Sequence, residues 1–214
     1  MKNYLVTGGA GFIGSCLIRK LLQEGHKVTT IDNLTTGFKS NVPRNTNFIK
    51  GNCGDPKIYK KIANIKFDAI FHIAGQSSGE ISFDDPVYDI NANTTSTILL
   101  IKFALNSGCK RFIFASTMSV YGVKPDKPVK ESDQLSPKSF YGNSKLASEN
   151  YLKIYEKYGI EYTCLRLFNV YGPGQNMKNL SKIAIAACMT VSLSGCVAAA
   201  IGAAAGAGRR GRRG

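Results

Sequence analysis

Between Leu5 and Gly14 the chain reads Leu-Val-Thr-Gly-Gly-Ala-Gly-Phe-Ile-Gly, and few architectures place so much glycine between a strand and a helix. Tyr4 to Val6 is a short apolar run suited to a buried parallel strand, and Ile13, Leu17 and Leu21 recur every four residues on one helical face. Glycine fills the turn between them. Gly8 permits the tight turn, Gly11 lets the backbone approach a phosphate without a Cβ in the way, and Gly14 lets the new helix pack closely. The unpaired amides at the helix start would then face an anion. An ordinary glycine-rich loop has the same letters, so context must decide. Lys27 to Ile31 reads as a second strand ending in Asp32, about 20 residues beyond the glycines, where a carboxylate accepts hydrogen bonds from an adenosine ribose. The pair points to a dinucleotide. The carboxylate repels a 2′-phosphate and so favours NAD over NADP, although Lys39 and Arg44 downstream leave a phosphate within conceivable reach.

Further apolar runs at Asn47–Lys50, Asp68–Ala74, Arg111–Ser116 and Tyr162–Phe168 read as strands, and Pro56–Ala63, Pro86–Ser107 and Tyr141–Tyr158 as helices. Strands alternating with helices predict an α/β fold, a Rossmann-type doubly wound parallel sheet. Val123 to Lys138 carries three prolines and few apolar residues, which predicts a surface loop. Six cysteines without a Cys-x-x-Cys pair or histidines at metal spacing point to a reduced, cytoplasmic setting and no metal. A strand that opens within three residues of Met1 leaves no room for a signal peptide.

The net charge of +14 is inflated by Lys182, Arg209, Arg210, Arg212 and Arg213, which lie beyond Leu180 where no acidic residue occurs. Removing those five leaves 23 basic against 14 acidic residues, mixed rather than in blocks, and no nucleic-acid-reading motif accompanies them. Such a surface fits steering of a diphosphate, and equally plain lysine solvation. From Ile183 to Ala207 there are 25 uncharged residues, mostly Ala, Gly, Ser and Cys, ahead of the arginines. Three readings of this tail stand side by side: a membrane-spanning helix with Gly202 and Gly206 as a packing pair, an ordinary helix, or a sequence that does not continue the natural protein. Alanine is barely hydrophobic, which weighs against the membrane and for the last. The chain accordingly divides into a dinucleotide-binding domain over 1–180 and a low-complexity tail over 181–214.

Chemistry enters at Tyr141-Gly-Asn-Ser-Lys145, which opens a helix with Tyr and Lys four residues apart on one face. An ammonium close to a phenol favours the phenolate and makes Tyr141 an acid/base candidate. By itself such a pair also fits a surface coincidence. Ser116, Thr117 and Ser119 fall at the carboxyl end of the fifth strand, where ligands lie in doubly wound sheets, and a hydroxyl there can orient a sugar oxygen.

Thr7-Gly-Gly-Ala-Gly-Phe-Ile-Gly14, Asp32-Asn-Leu34, His72-Ile-Ala-Gly75, Ser116-Thr-Met-Ser-Val-Tyr-Gly122, Tyr141-Gly-Asn-Ser-Lys145 and Leu165-Arg-Leu-Phe-Asn-Val-Tyr-Gly-Pro173 occur in that order. With them the chain resembles an extended short-chain dehydrogenase/reductase of the NAD-dependent epimerase/dehydratase family, nearest the nucleotide-sugar 4-epimerases of the UDP-glucose 4-epimerase type. The resemblance covers about residues 1 to 180. It implies that Gly8, Gly11, Phe12, Ile13 and Gly14 hold the cofactor pyrophosphate, Asp32 and Asn33 the ribose, and Asn52 and Cys53 the adenine. Asn52 stands where the family usually has Asp, and its carbonyl oxygen can still accept from the adenine amino group. Ala74, Gly75 and Asn93 would line the cofactor path, and Phe168 would touch the nicotinamide.

The same resemblance implies the chemistry. Tyr141 takes the proton of a sugar 4-hydroxyl, Lys145 holds the nicotinamide ribose and depresses the tyrosine pKa, Thr117 hydrogen-bonds the reacting oxygen, and Asn169 holds the substrate. Met118 and Ser119 follow Thr117 where 4,6-dehydratases of the family carry acidic residues, which disfavours that alternative. His72 reads as structural rather than as a further base. Family members dimerise through the helices at Pro86–Ser107 and Tyr141–Tyr158, and Ile98, Ile101 and Leu105 would face either a partner or the sheet. The lobe that grips the substrate nucleotide is largely absent from this sequence, so an inactive NAD-binding fragment stands beside the epimerase as a reading.

Overall fold

A computed structural model describes residues 1–123, 128–172 and 175 of the chain. Six strands, β1 (Asn3–Thr7), β2 (Lys27–Asp32), β3 (Asn47–Lys50), β4 (Ala69–His72), β5 (Arg111–Thr117) and β6 (Glu161–Leu167), form one sheet in the order β3-β2-β1-β4-β5-β6. Every pairing is parallel. The helices are α1 (Phe12–Gln23), α2 (Ile81–Asp84), α3 (Pro86–Ile90), α4 (Ser96–Ser107) and α5 (Phe140–Glu156). The chain winds outward from β1 to β3, then returns to place β4 on the other side of β1. That reversal puts the carboxyl ends of β1 and β4 at the switch point, where an open α/β sheet offers a crevice.

Alternation along each strand divides the core between the two faces of the sheet. Leu5, Ile31, Ile70, Phe112 and Phe114 face one side, where Leu100 and Ile101 of α4 and Leu152 of α5 cover them. Tyr4, Val6, Phe71 and Ile113 face the other, against Leu17, Ile18 and Leu21 of α1. Central strands buried on both faces read as unbroken apolar runs, which is why Phe112 to Phe114 carry no polar residue. Ile101 is fully buried and Leu105 packs on the same cluster, so both side chains are committed to the sheet.

Three elements depart from the sequence expectation, each for a local reason. The helix expected at Pro56–Ala63 is a 3-10 helix over Pro56–Ile62, a short connector started by Pro56 and by the Asp55 carboxylate, which accepts from Lys57 N at 2.9 Å. The helix expected over Pro86–Ser107 is continuous but contains a π turn at Asn91–Thr95. There the Ser96 hydroxyl donates to the Ala92 carbonyl and the Thr97 hydroxyl to the Asn93 carbonyl, both at 2.6 Å, and these side chains compete with the backbone ladder. β4 ends at His72 rather than Ala74, because the Ala74 amide turns to the Thr7 hydroxyl at 3.2 Å.

Pro128 and Pro137 of the Val123–Lys138 loop fall where no helix or strand forms, and 124–127, with Pro125, lie outside the described residues. The tail over 181–214, including Gly202, Gly206 and the arginines, also lies outside the described residues. Among the described residues no helix is long and apolar enough to cross a membrane.

The junction of β1 and α1 is a tight backbone contact. A Cβ on Gly14 would lie 2.2 Å from the Gly8 carbonyl oxygen, and backbone cannot yield as a flexible side chain does. Gly14→Ala is therefore expected to destabilise the chain by about 2 kcal/mol or more, read from denaturant unfolding. Unchanged stability would show that α1 can slide away from the turn.

Candidate active site

Gly8 sits in the left-handed region at φ 75° and its amide donates to the Ile31 carbonyl at 2.8 Å, which turns the chain sharply over the end of β2. Gly11 then begins α1 with no side chain capping it, so the first-turn amides, Phe12 and Ile13 among them, have no partner inside the helix. A Cβ on Gly11 would meet only the Gly8 carbonyl, at 3.3 Å, so the remaining side is open. Gly9, which sequence reasoning passed over, is required for packing: a Cβ there would fall 2.1 Å from the Thr30 hydroxyl and 2.5 Å from Ile18.

Asp32 holds this turn from the end of β2. One carboxylate oxygen accepts from Ala10 N at 2.9 Å and the other from Leu34 N at 2.8 Å. Asn33 is exposed beside it and accepts from Thr35 N at 3.0 Å. Lys39, a candidate for a 2′-phosphate, lies 3.5 Å from the centre of the Phe48 ring in a cation–π contact. Asn52 is exposed, its side-chain oxygen accepting from Gly54 N at 2.8 Å. Cys53 is buried in the core, its carbonyl accepts from the Tyr59 hydroxyl, and burial with the Asp32 charge pushes its thiol up to about 12.

Ser139 starts α5 by accepting from Gly142 N at 3.0 Å, which sets Tyr141 in the first turn and Lys145 in the next. Strand alternation decides which hydroxyl of β5 they meet. Thr117 lies close enough to the Tyr141 phenol to favour its charged form, and its hydroxyl donates to the Ser119 hydroxyl and accepts from Ser119 N, both at 3.2 Å, whereas Ser116 points the other way and donates to Glu149. Glu149 also pairs with Arg166 of β6 at 2.7 Å, and Arg166 donates to the Tyr121 hydroxyl at 2.9 Å. Ser116 is thus spent on joining α5 to the sheet, so Thr117 alone of that pair faces the site.

Lys145 is buried, its ammonium donating to the Ala115 carbonyl at 3.0 Å and lying 6.0 Å from the centre of the Tyr141 ring. Burial lowers its pKa to about 8, with the Asp89 carboxylate opposing. The expected lowering of the Tyr141 pKa by Lys145 is not found. Burial raises the phenol, the Thr117 hydrogen bond opposes, and the Asp89 charge adds to the rise. His72 is fully buried between the Thr7 hydroxyl at 2.7 Å and the Thr97 hydroxyl at 3.1 Å, and burial takes it down to about 3, so it is neutral and structural.

Asp89 went unnoticed in the sequence. It is fully buried and accepts from the Asn93 side-chain amide at 3.1 Å and from the Ser144 hydroxyl at 2.6 Å. Its only sequence signal is the four-residue spacing to Asn93. Among the described residues the Asn93 side-chain oxygen has no partner, although no part of the residue reaches solvent. A Cβ on Gly75 would lie 2.4 Å from that oxygen and 3.2 Å from the Lys145 ammonium, so Gly75, Asn93 and Lys145 converge on one place. Ala74 leads into it. Phe168, 54% exposed, and Asn169, exposed, follow β6 at the same carboxyl edge of the sheet. Open glycine backbone, uncapped helix amides and an unpaired buried acceptor along one edge suit a dinucleotide.

Residues 4–197 match the sequence model of the NAD dependent epimerase/dehydratase family. A UDP-glucose 4-epimerase of Mycolicibacterium smegmatis is 37% identical over 179 residues, 80% of this chain and 57% of its own length. The crystal structure of Thermus thermophilus UDP-glucose 4-epimerase in complex with NAD superimposes with a TM-score of 0.79 at 37% identity, covering 82% of this chain and 58% of that one. The UDP-N-acetylglucosamine 4-epimerase from Methanobrevibacter ruminantium in complex with UDP-N-acetylmuramic acid gives 0.77 at 38%, covering 83% and 58%. The chain thus spans somewhat over half the length of the relatives it matches.

A buried ammonium costs stability that a similar apolar side chain does not. The unfolded lysine titrates at 10.5 and the folded one at about 8, so between those values the unfolded chain binds more protons and stability rises with pH. Below pH 8 the cost is fully present. Lys145→Met is expected to stabilise the ligand-free chain by about 3 kcal/mol at pH 7, with the difference from wild type shrinking as pH climbs towards 10.5. Urea unfolding at a series of pH values reads this, and a pH-independent difference would contradict the burial of the charge.

Proposed function

Because the chain belongs to the NAD-dependent epimerase/dehydratase family, we propose that it is the cofactor-binding and catalytic part of a nucleotide-sugar 4-epimerase, acting on an NDP-hexose. The convergence of Thr117, Tyr141 and Lys145 at the carboxyl edge of the sheet is the observation that carries this reading. The solved relatives in complex with NAD and with a UDP-linked sugar support it.

In this reading the first-turn amides of α1 with Gly8, Gly11 and Gly14 hold the pyrophosphate, and Asp32 and Asn33 the adenosine ribose. Asn52 and Cys53 flank the adenine. Ala74, Gly75, Asn93 and Lys145 line the path to the nicotinamide, and Phe168 covers that ring. NAD, when bound, supplies a reversible acceptor for hydride. Tyr141 exchanges the proton of the sugar 4-hydroxyl, and Thr117 hydrogen-bonds the same oxygen and opposes the rise that burial imposes on the phenol. Lys145, one helical turn away, holds the nicotinamide ribose. A 4-keto sugar that turns over and is reduced on its opposite face leaves as the epimer, with Asn169 holding the substrate during the turn. Met118 and Ser119, which carry no carboxylate, favour epimerisation over elimination of water.

The short span relative to the matched epimerases supports a second reading, an NAD-binding fragment without turnover. Assembly into a homodimer is supported by apolar side chains left exposed on the two helical segments concerned: Val87 and Ile90 of α3, and Tyr151 and Ile154 of α5. Ile154→Asp is expected to shift sedimentation towards a monomer; an unchanged profile would remove α5 from the interface.

Tyr141→Phe is expected to lower epimerisation of a UDP-hexose by about 10²-fold or more, while NAD affinity by calorimetry stays within a few-fold of wild type. NAD binding without turnover in the wild type favours the fragment. Equal turnover in wild type and variant would refute the assigned role of Tyr141.

A further inference from the structure

We infer that Asp89 is a positioning residue for the cofactor site: its carboxylate fixes the Asn93 side-chain amide so that the amide oxygen faces the gap left by the missing side chain of Gly75, next to the Lys145 ammonium. The inference rests on reading that gap as part of the dinucleotide site. An asparagine side chain can present either its oxygen or its NH₂ group on a given side, and its hydrogen-bond partners decide which. An ionised carboxylate is an acceptor only, so the NH₂ group must turn towards Asp89, and it does, at 3.1 Å. The other carboxylate oxygen is held by the Ser144 hydroxyl at 2.6 Å, which ties Asp89 to α5.

The Asn93 backbone is pinned as well. Its carbonyl oxygen accepts from the Thr97 hydroxyl at 2.6 Å, while the hydroxyls of Ser96 and Ser148, which donate more closely to the Ala92 and Ser144 carbonyls, lie 3.2 and 3.4 Å away. What remains of the residue is one side-chain oxygen, buried and unpartnered, 2.4 Å from where a Gly75 side chain would begin. Leaving a buried acceptor unpaired is costly, and an amide free to turn would relieve it. Asp89 forbids that turn. The acceptor is therefore kept in readiness for a donor arriving in the gap, which a ribose hydroxyl or a carboxamide NH₂ group of a dinucleotide supplies.

Asp89→Asn keeps an acceptor for the Asn93 amide and can donate to Ser144, whose hydroxyl already has the Tyr141 carbonyl as a second acceptor at 3.0 Å. Asp89→Ala removes the acceptor. For the full chain, calorimetry with NAD⁺ is expected to give Asp89→Ala and Asn93→Ala each about tenfold weaker than wild type, Asp89→Asn within about threefold, and the double alanine variant no weaker than either single. Additive losses, or an Asp89→Asn loss as large as that of Asn93→Ala, would overturn the inference, and the comparison of Asp89→Asn with Asn93→Ala stands even if Asp89→Ala does not fold. In the ligand-free chain, solvent exchange of the Asn93 side-chain NH₂ by NMR is expected to be slow in wild type and Asp89→Asn. It should be fast in Asp89→Ala. Fast exchange in wild type or in Asp89→Asn sinks the positioning role, whereas wild type that binds no NAD⁺ but keeps this exchange pattern sinks only the reading of the gap.

Discussion

The fold hangs on a backbone-to-backbone contact. At the junction of β1 and α1 the Gly8 carbonyl, the Gly14 Cα and the Gly9 Cα lie so close that no side chain fits between them. Because α1 cannot lift away, its uncapped amino end is fixed over the carboxyl end of β1, beside the reversal of strand order. Asp32 extends the same constraint sideways by bonding Ala10 N and Leu34 N at once, so the turn and the segment after β2 are held as one unit. A Cβ on Gly37 would also strike the Ala10 backbone, at 2.7 Å, which presses the following loop onto the turn.

On the other side of the switch point the sheet is covered by helices that bury polar groups as well as apolar ones. Asp89, Asn93, Ser144, Lys145 and Ser148 are all buried, and His72 lies beneath α4 between two hydroxyls. Ser144 bonds to Asp89 and Lys145 to Ala115 across elements, and this network fixes side-chain directions that an apolar interface would leave loose. The unpaired oxygen of Asn93 and the lowered pKa of Lys145 are places where the free chain is less stable than it could be. Such concessions are the mark of a site rather than of a core.

The sheet and its order were readable because glycine spacing, apolar runs and the alternation of strands with helices all point the same way. Tyr141 and Lys145 were readable because a four-residue spacing on a helix fixes which side chains share a face. The choice between Ser116 and Thr117 was not, since it depends on which face of β5 meets α5, and only the Glu149–Arg166 pair reveals what Ser116 does. Asp89 was hidden for a related reason. An acid near the start of a helix ordinarily reads as a solvated residue favoured by the helix dipole, and its burial arises from α5, more than fifty residues later in the chain. The π turn was equally silent, because it follows from hydroxyls bonding back to carbonyls and not from any breaker residue.

The electrostatics of the site also carry a consequence for proton transfer. Burial raises Tyr141 and lowers Lys145, so it drives both towards their uncharged forms, and Asp89 holds the lysine protonated while making the phenolate harder to form. Folding alone therefore leaves the tyrosine harder to ionise than a free phenol. It becomes a good base only if a further positive charge enters its surroundings or if the Lys145 ammonium turns from the Ala115 carbonyl towards it. In the proposed reading, base strength therefore depends on a charge that arrives with a reaction partner, because folding by itself raises the phenol and holds its proton.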